Sequence, residues 1–139
     1  MATRIDLGHP RLAQLLRAQC GVLSRAQLIA AGAGEGDITR MRRRKEIRRV
    51  HSGVYVDHTG PLTYEQREWV AVLAAWPAAL CGESAIPGRR PQVVEVAVER
   101  GRTVAVPDGP ADGHRCALRR VRAHRGTARS CVPRHPGGV

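Results

Sequence analysis

Apolar residues recur at helical spacing three times within the first 45 positions, and each run is bracketed by residues that start or stop a helix. Over residues 10–20, Leu12, Leu15 and Leu16 fall at i, i+3 and i+4; Pro10 suits a first helical position and Gly21 a stop. Ser24 and Gln27 form an S-x-x-Q capping box in front of Ala26, Leu28, Ile29 and Ala30, and Gly32 and Gly34 end that helix in a loop. A third helix is predicted from about Gly36 or Asp37 to Lys45. Ile38 and Met41 face the core, and the acidic Glu35 and Asp37 favour its N-terminal end. Ile47–His51 and Val54–Val56 then read as the strands of a hairpin turning at Ser52-Gly53.

His58-Thr59-Gly60-Pro61 reads as a linker. Thr63 and Gln66 form a second capping box, Trp69, Val70, Leu73 and Trp76 make an apolar stripe, and Pro77 stops that helix. Val93–Val98 alternates like a strand, with Thr103–Val106 as its expected partner across Arg100-Gly101. From about Pro107 the periodicity fades, and the tail, rich in Arg, Pro, Gly and His, is expected to be disordered. The chain shows no repeat. These features predict an α+β chain in three segments. Residues 1–58 form a winged helix-turn-helix of three helices and a β-hairpin wing. Residues 59–109 form a helix and hairpin of a partial α/β region, and residues 110–139 a disordered basic tail.

Charge sharpens this picture. The 139 residues carry a formal charge of +11, unevenly placed. Residues 1–60 hold 11 cations against 5 anions, residues 61–113 hold 5 against 7, and residues 114–139 hold 7 Arg and no acid. Seven cations fall between Arg40 and Arg49, opposed only by Glu46. A helix with cations on most of its circumference has little apolar surface to bury, so an anionic partner is the simpler explanation. Arginine abundance across the chain (a single lysine among 23 cations) explains the residue type but not this clustering.

Helix, turn, basic helix and basic hairpin is how a winged helix-turn-helix meets double-stranded DNA. With Ile38 and Met41 inward, Thr39, Arg40, Arg43 and Arg44 lie on or beside the outward face of the third helix, where they would enter a major groove. One or two of these arginines are candidates for bidentate contact with guanine, while Arg48 and Arg49 on the wing suit phosphates. His51, at the wing turn, is a further candidate for phosphate contact.

Three stretches, in this order, resemble the N-terminal domain of the AbiEi-family antitoxins of type IV toxin–antitoxin systems, particularly actinobacterial members. They are GVLSRAQLIAAG (Gly21–Gly32), the R-R-x-x-x-R-R-V-H-S-G-V-Y-V run (Arg43–Val56), and DHTGPLTYEQREWVAVLAAWPAAL (Asp57–Leu80) followed by Glu83-Ser84-Ala85. A weaker likeness continues through Val93–Gly109. The resemblance implies a cytoplasmic repressor that occupies operator DNA and autoregulates its operon, with a further domain that counters a nucleotidyltransferase-like toxin. After Ser84-Ala85 the expected helix is interrupted by Ile86-Pro87-Gly88, and after about Gly109 the likeness ends, so the second domain is expected to be truncated. Two alternatives stand beside this one: an adaptor that docks a toxin, and a remnant of a nuclease-fused relative.

Enzyme chemistry finds no footing in the sequence. Glu95 and Glu99 lack the downstream acidic–x–Lys pair of a metal-dependent nuclease, and the chain's only lysine is Lys45. There is no Gly-Ser with paired aspartates, no G-x-S-x-G and no P-loop. Cys20, Cys81, Cys116 and Cys131 form no C-x-x-C pair, and the spacing of Cys116, His124, Cys131 and His135 lacks the short knuckle of a zinc finger. The expectation is no catalytic residue, no metal and no cofactor. No apolar run approaches the ~18–20 residues of a membrane span, and four separate thiols suit a reducing cytoplasm.

Overall fold

The computed structural model describes residues 4–101, 104 and 115–121, which fall into two units, residues 1–61 and 62–139. The first contains α1 (Pro10–Ala18), β1 (Val22–Ser24), α2 (Arg25–Ala30), α3 (Glu35–Arg43), β2 (Arg48–His51) and β3 (Val54–Val56). This is a winged helix-turn-helix. The strands form one antiparallel sheet in the order β1-β3-β2, with Val22, Leu23 and Ser24 opposite Val56, Tyr55 and Val54.

Local chemistry sets each boundary. α1 ends at Ala18, two residues earlier than predicted, and the left-handed turn after it runs through Cys20 at φ 56 and Gly21 at φ +86. A side chain at position 21 would strike the Asp57 carboxylate, whose own backbone N–H donates to the Gly21 carbonyl at 3.0 Å. The Ser24–Gln27 box closes as expected: Ser24 Oγ accepts from Gln27 N at 3.1 Å and Gln27 Oε1 accepts from Ser24 N at 3.0 Å. Gln27 does more than cap. Its Nε2 donates to Gln19 Oε1 at 2.7 Å, while the buried Gln19 donates its own Nε2 to Val22 O at 2.8 Å. The amide pair therefore joins the end of α1 to the start of α2 across β1.

The third helix starts one residue earlier than predicted and ends two earlier, because Lys45 sits in the left-handed region at φ 60. Lys45 N donates to Arg42 O at 3.1 Å and Glu46 N to Met41 O at 2.9 Å, the two bonds of a Schellman stop. Ile38 and Met41 are buried with Leu12, Leu28, Ile47 and Tyr55 in the core of the unit. Each such side chain contributes about 1.5–3 kcal/mol by leaving water. The hairpin turns at Ser52-Gly53 with Gly53 at φ +73, and its register slips between Arg49 and His51. Gly53 O accepts from Arg25 N at 2.8 Å, which ties the wing tip to the first residue of α2.

The second unit contains α4 (Tyr64–Ala74), β4 (Ala79–Leu80), a short 3-10 turn (Gly82–Ala85), β5 (Val93–Glu99) and β6 (Arg115–Val121). Thr63 and Gln66 cap α4 reciprocally, and Trp69, Val70 and Leu73 are buried. Trp76 departs from the predicted stripe: the helix has already stopped at Ala74, and the indole is 52% exposed. The sheet order is β4-β5-β6, with β4 antiparallel to β5 and β6 parallel to it along all seven residues of β5.

One expectation about this unit changes and another falls outside the described residues. Among the described residues the neighbours of β5 are β4 and β6. Thr103–Val106, the expected hairpin partner, lies outside the described residues apart from Val104, which is not in a strand. Residues 115–121 lie in the tail expected to be disordered, yet they form a strand; the rest of 110–139 lies outside the described residues. The physical reason is that β5 buries Val94, Val96 and Val98 on one face and leaves an edge of backbone donors and acceptors. A strand can use that edge while contributing little apolar surface of its own, here Leu118 against the valine face. Average composition does not register so short a pairing.

Candidate nucleic-acid interface

Burial of Ile38 and Met41 fixes the rotation of α3, so Gly36, Thr39, Arg40 and Arg43 share the opposite side, with Arg42 and Arg44 on the flanks. The candidate residues divide sharply when their partners are followed. The side chains of Arg43 and Arg49 are exposed and have no hydrogen-bond or ion-pair partner among the described residues, and Thr39 is likewise exposed on the outward side. Arg44 is exposed and lies 3.9 Å from Glu46, a loose ion pair that solvent screens.

Arg40 and Arg48 are differently placed. Arg40 is only 23% exposed at its side chain; Nη1 donates to Asp37 Oδ1 at 2.8 Å and Nη2 to the Ile5 carbonyl at 2.7 Å. Asp37 in turn accepts from Gly34 N at 3.0 Å, and that backbone bond, with the Arg40 guanidinium, holds its carboxyl below the usual range. The charge at position 40 is thus engaged in holding the start of α3 against the N-terminal segment. Arg48 Nη2 donates to Gly60 O at 2.8 Å, and its buried Nε has no partner among the described residues, so this side chain points into the unit. His51 is half-buried at the bulge, with a buried Nδ1.

Two cations outside the predicted set belong to the same surface. Arg42 lies over the Tyr55 ring, 6.0 Å from its centroid, and so joins α3 to β3 of the wing. Lys45, exposed at the Schellman stop, carries its ammonium on the connection between helix and wing. Neither role is readable from spacing, since one needs the fold of the hairpin back onto α3 and the other a backbone angle. Arg25, at the start of α2, pairs with Glu35, the first residue of α3. Among the described residues no group of three or more His, Cys, Asp or Glu is arranged to hold a metal, and the side chains of the Cys116–His135 set lie outside those described. The surface of α3 and the wing thus carries the exposed cations Arg42, Arg43, Arg44, Lys45 and Arg49.

Residues 10–56, from α1 through β3, match the family model described as a transcriptional regulator, AbiEi antitoxin. They form an AbiEi-type antitoxin domain. The matched family is described as one of transcriptional regulators, and the match lies within the first unit. No curated protein matches the chain. Among solved structures it is similar to the RV2827C protein from Mycobacterium tuberculosis, at 19% identity and a TM-score of 0.38, over 88% of this chain and 48% of that one. The chain therefore spans about half the length of that structure. Among the described residues no helix is long and apolar enough to cross a membrane.

Proposed function

We propose that the chain is a cytoplasmic repressor that binds operator DNA through its AbiEi-type domain and regulates the operon encoding it, paired there with a nucleotidyltransferase-like toxin. Residues 1–58 serve as the DNA-binding segment and 59–109 as the antitoxin segment. α3 enters the major groove with Thr39 and Arg43 towards base edges, and Arg49 on the wing meets phosphate. Arg44 joins them by exchanging its loose contact with Glu46 for a phosphate. The observation that carries this reading is the pair Arg43 and Arg49. Both stand exposed and without a partner, one on the outward side of the second helix of the helix-turn-helix and one on the wing. A fold does not need cations so placed, whereas a duplex does.

The test is titration of the full chain, by fluorescence anisotropy at several salt concentrations, against DNA from immediately upstream of its own reading frame and against shuffled duplex of equal length. Preference for the upstream DNA, together with affinity that falls linearly with log salt, supports the proposal. Equal binding to both duplexes, or none, overturns it. The toxin half of the proposal is tested by co-expression with the product of any adjacent nucleotidyltransferase-like frame, scored as rescue of growth.

A further inference from the structure

The segment before α1 is not a loose end. Ile5 is buried in the core of the first unit, and Asp6 closes a turn by accepting from Gly8 N at 2.9 Å through Oδ1 and from His9 N at 3.1 Å through its carbonyl. The same Ile5 offers its carbonyl to Arg40, which stands on the outward side of α3. The chain is thereby stapled to the helix assigned to the groove, one residue short of Arg4. Consecutive Cα atoms lie about 3.8 Å apart, so the Arg4 Cα is held within a few ångströms of a peptide group bonded to α3. Arg4 is exposed and has no ion pair or hydrogen bond among the described residues.

From this we infer that Arg4 is a third DNA contact, beside α3 and the wing. A strap anchored by Ile5 and pinned by Arg40 delivers it to the backbone of the duplex flanking the bases under α3. The inference rests on the DNA-binding reading above and extends it to a residue that neither the helix-turn-helix pattern nor the basic cluster picks out. Its ligand is a phosphate of double-stranded DNA, because a lone guanidinium on a short strap supplies charge without the fixed orientation that base reading requires. Arg40 acts on DNA only through this strap and is a positioning residue.

The inference is tested with the full chain on the same upstream DNA. Arg4→Ala should leave the thermal midpoint unchanged and flatten the log affinity against log salt slope by about 0.9, the signature of one lost phosphate contact. Upstream and shuffled duplex should weaken by the same factor. In an Arg40→Met background whose circular dichroism confirms folding, Arg4→Ala should produce no further change, since the strap is already released. An unchanged slope for Arg4→Ala, beside weakened binding or a flattened slope for Arg43→Ala, overturns the inference and leaves the DNA reading standing. Unchanged slopes for both, together with an Arg43→Ala affinity for the upstream DNA equal to the parent's, overturn the reading itself. A full loss from Arg4→Ala in the Arg40→Met background overturns the delivery by Arg40.

Discussion

Arg40 and Arg43 sit three residues apart on the same side of one helix, yet their replacement should separate cleanly into an effect on stability and an effect on binding. Arg43 has no partner, and alanine is a better helix former, so Arg43→Ala should change stability by less than about 0.5 kcal/mol. If Arg43 meets one phosphate, the salt slope falls by about 0.9, so over a fourfold rise in salt the variant loses about 3.5-fold less affinity than the parent. If it reads guanine instead, affinity for the upstream DNA falls by about 1–3 kcal/mol while shuffled duplex is barely affected. Arg40→Ala removes the 2.7 Å bond to the Ile5 carbonyl, a charge-assisted contact worth about 1.5–3 kcal/mol. For a unit of this size that lowers the melting temperature by at least about 4–8 °C. Thermal unfolding followed by circular dichroism gives the first quantity and anisotropy titrations the second. An Arg43→Ala protein that melts several degrees lower, or an Arg40→Ala protein that melts with the parent, would refute this division of labour.

Three further outcomes test other parts of the structure. Gln27→Ala removes the capping acceptor of Ser24 N and strands the amide oxygen of buried Gln19, so chemical denaturation should report a loss of about 2 kcal/mol. Lys45→Gly relieves a left-handed residue at φ 60 and should stabilise the protein by up to about 1 kcal/mol, again by denaturant titration, while its lost charge weakens DNA binding. Glu68 on α4 is pushed up to about 7, first by burial, then by Glu65, against the opposing pull of Arg90. A carboxyl whose folded value is raised binds its proton more tightly in the native state, so its unfavourable effect is absent below about pH 4.5, grows between there and about 7, and is fully present above. Because the group remains partly exposed, solvent screening limits this to about 1 kcal/mol. Glu68→Gln should therefore raise the melting temperature at pH 8 and leave it nearly unchanged at pH 4.

What the sequence made legible was local. Capping boxes at Ser24 and Thr63 and the turn at Gly53 are decided within a few residues, and each lies where the pattern places it. β1 is not legible in the pattern because three residues, Val22-Leu23-Ser24, carry no period of their own; their pairing with β3 spans 30 to 34 positions of chain. β6 is not legible for the same reason, being specified by the open edge of β5 rather than by its own composition. Within the candidate site, helical spacing gave the face of Thr39, Arg40 and Arg43. It had no access to the Ile5 carbonyl that engages Arg40 or to the Gly60 carbonyl that engages Arg48, because both acceptors come from segments outside the motif.

That distinction limits how strongly the basic cluster can grip DNA. Of its seven cations, Arg40 and Arg48 donate to carbonyls at 2.7 and 2.8 Å, and releasing either would leave a backbone acceptor unmet. Arg42, over an aromatic ring, and Arg44, 3.9 Å from a carboxylate, hold weak contacts that a phosphate can replace. Arg43, Lys45 and Arg49 have nothing to give up. At about 0.9 per phosphate contact, the helix and wing should contribute a salt slope between about 2.7, from the three unengaged cations, and about 4.5, when Arg42 and Arg44 join them. A cluster fully committed to DNA would contribute about 6.3. Neutralising Arg43, Lys45 and Arg49 together should therefore remove about 2.7 from the measured slope, whereas Arg48→Met, in protein shown to be folded, should remove nothing. A loss of about 0.9 on Arg48→Met would mean that DNA draws this side chain out of the unit and that its bond to Gly60 is a resting contact.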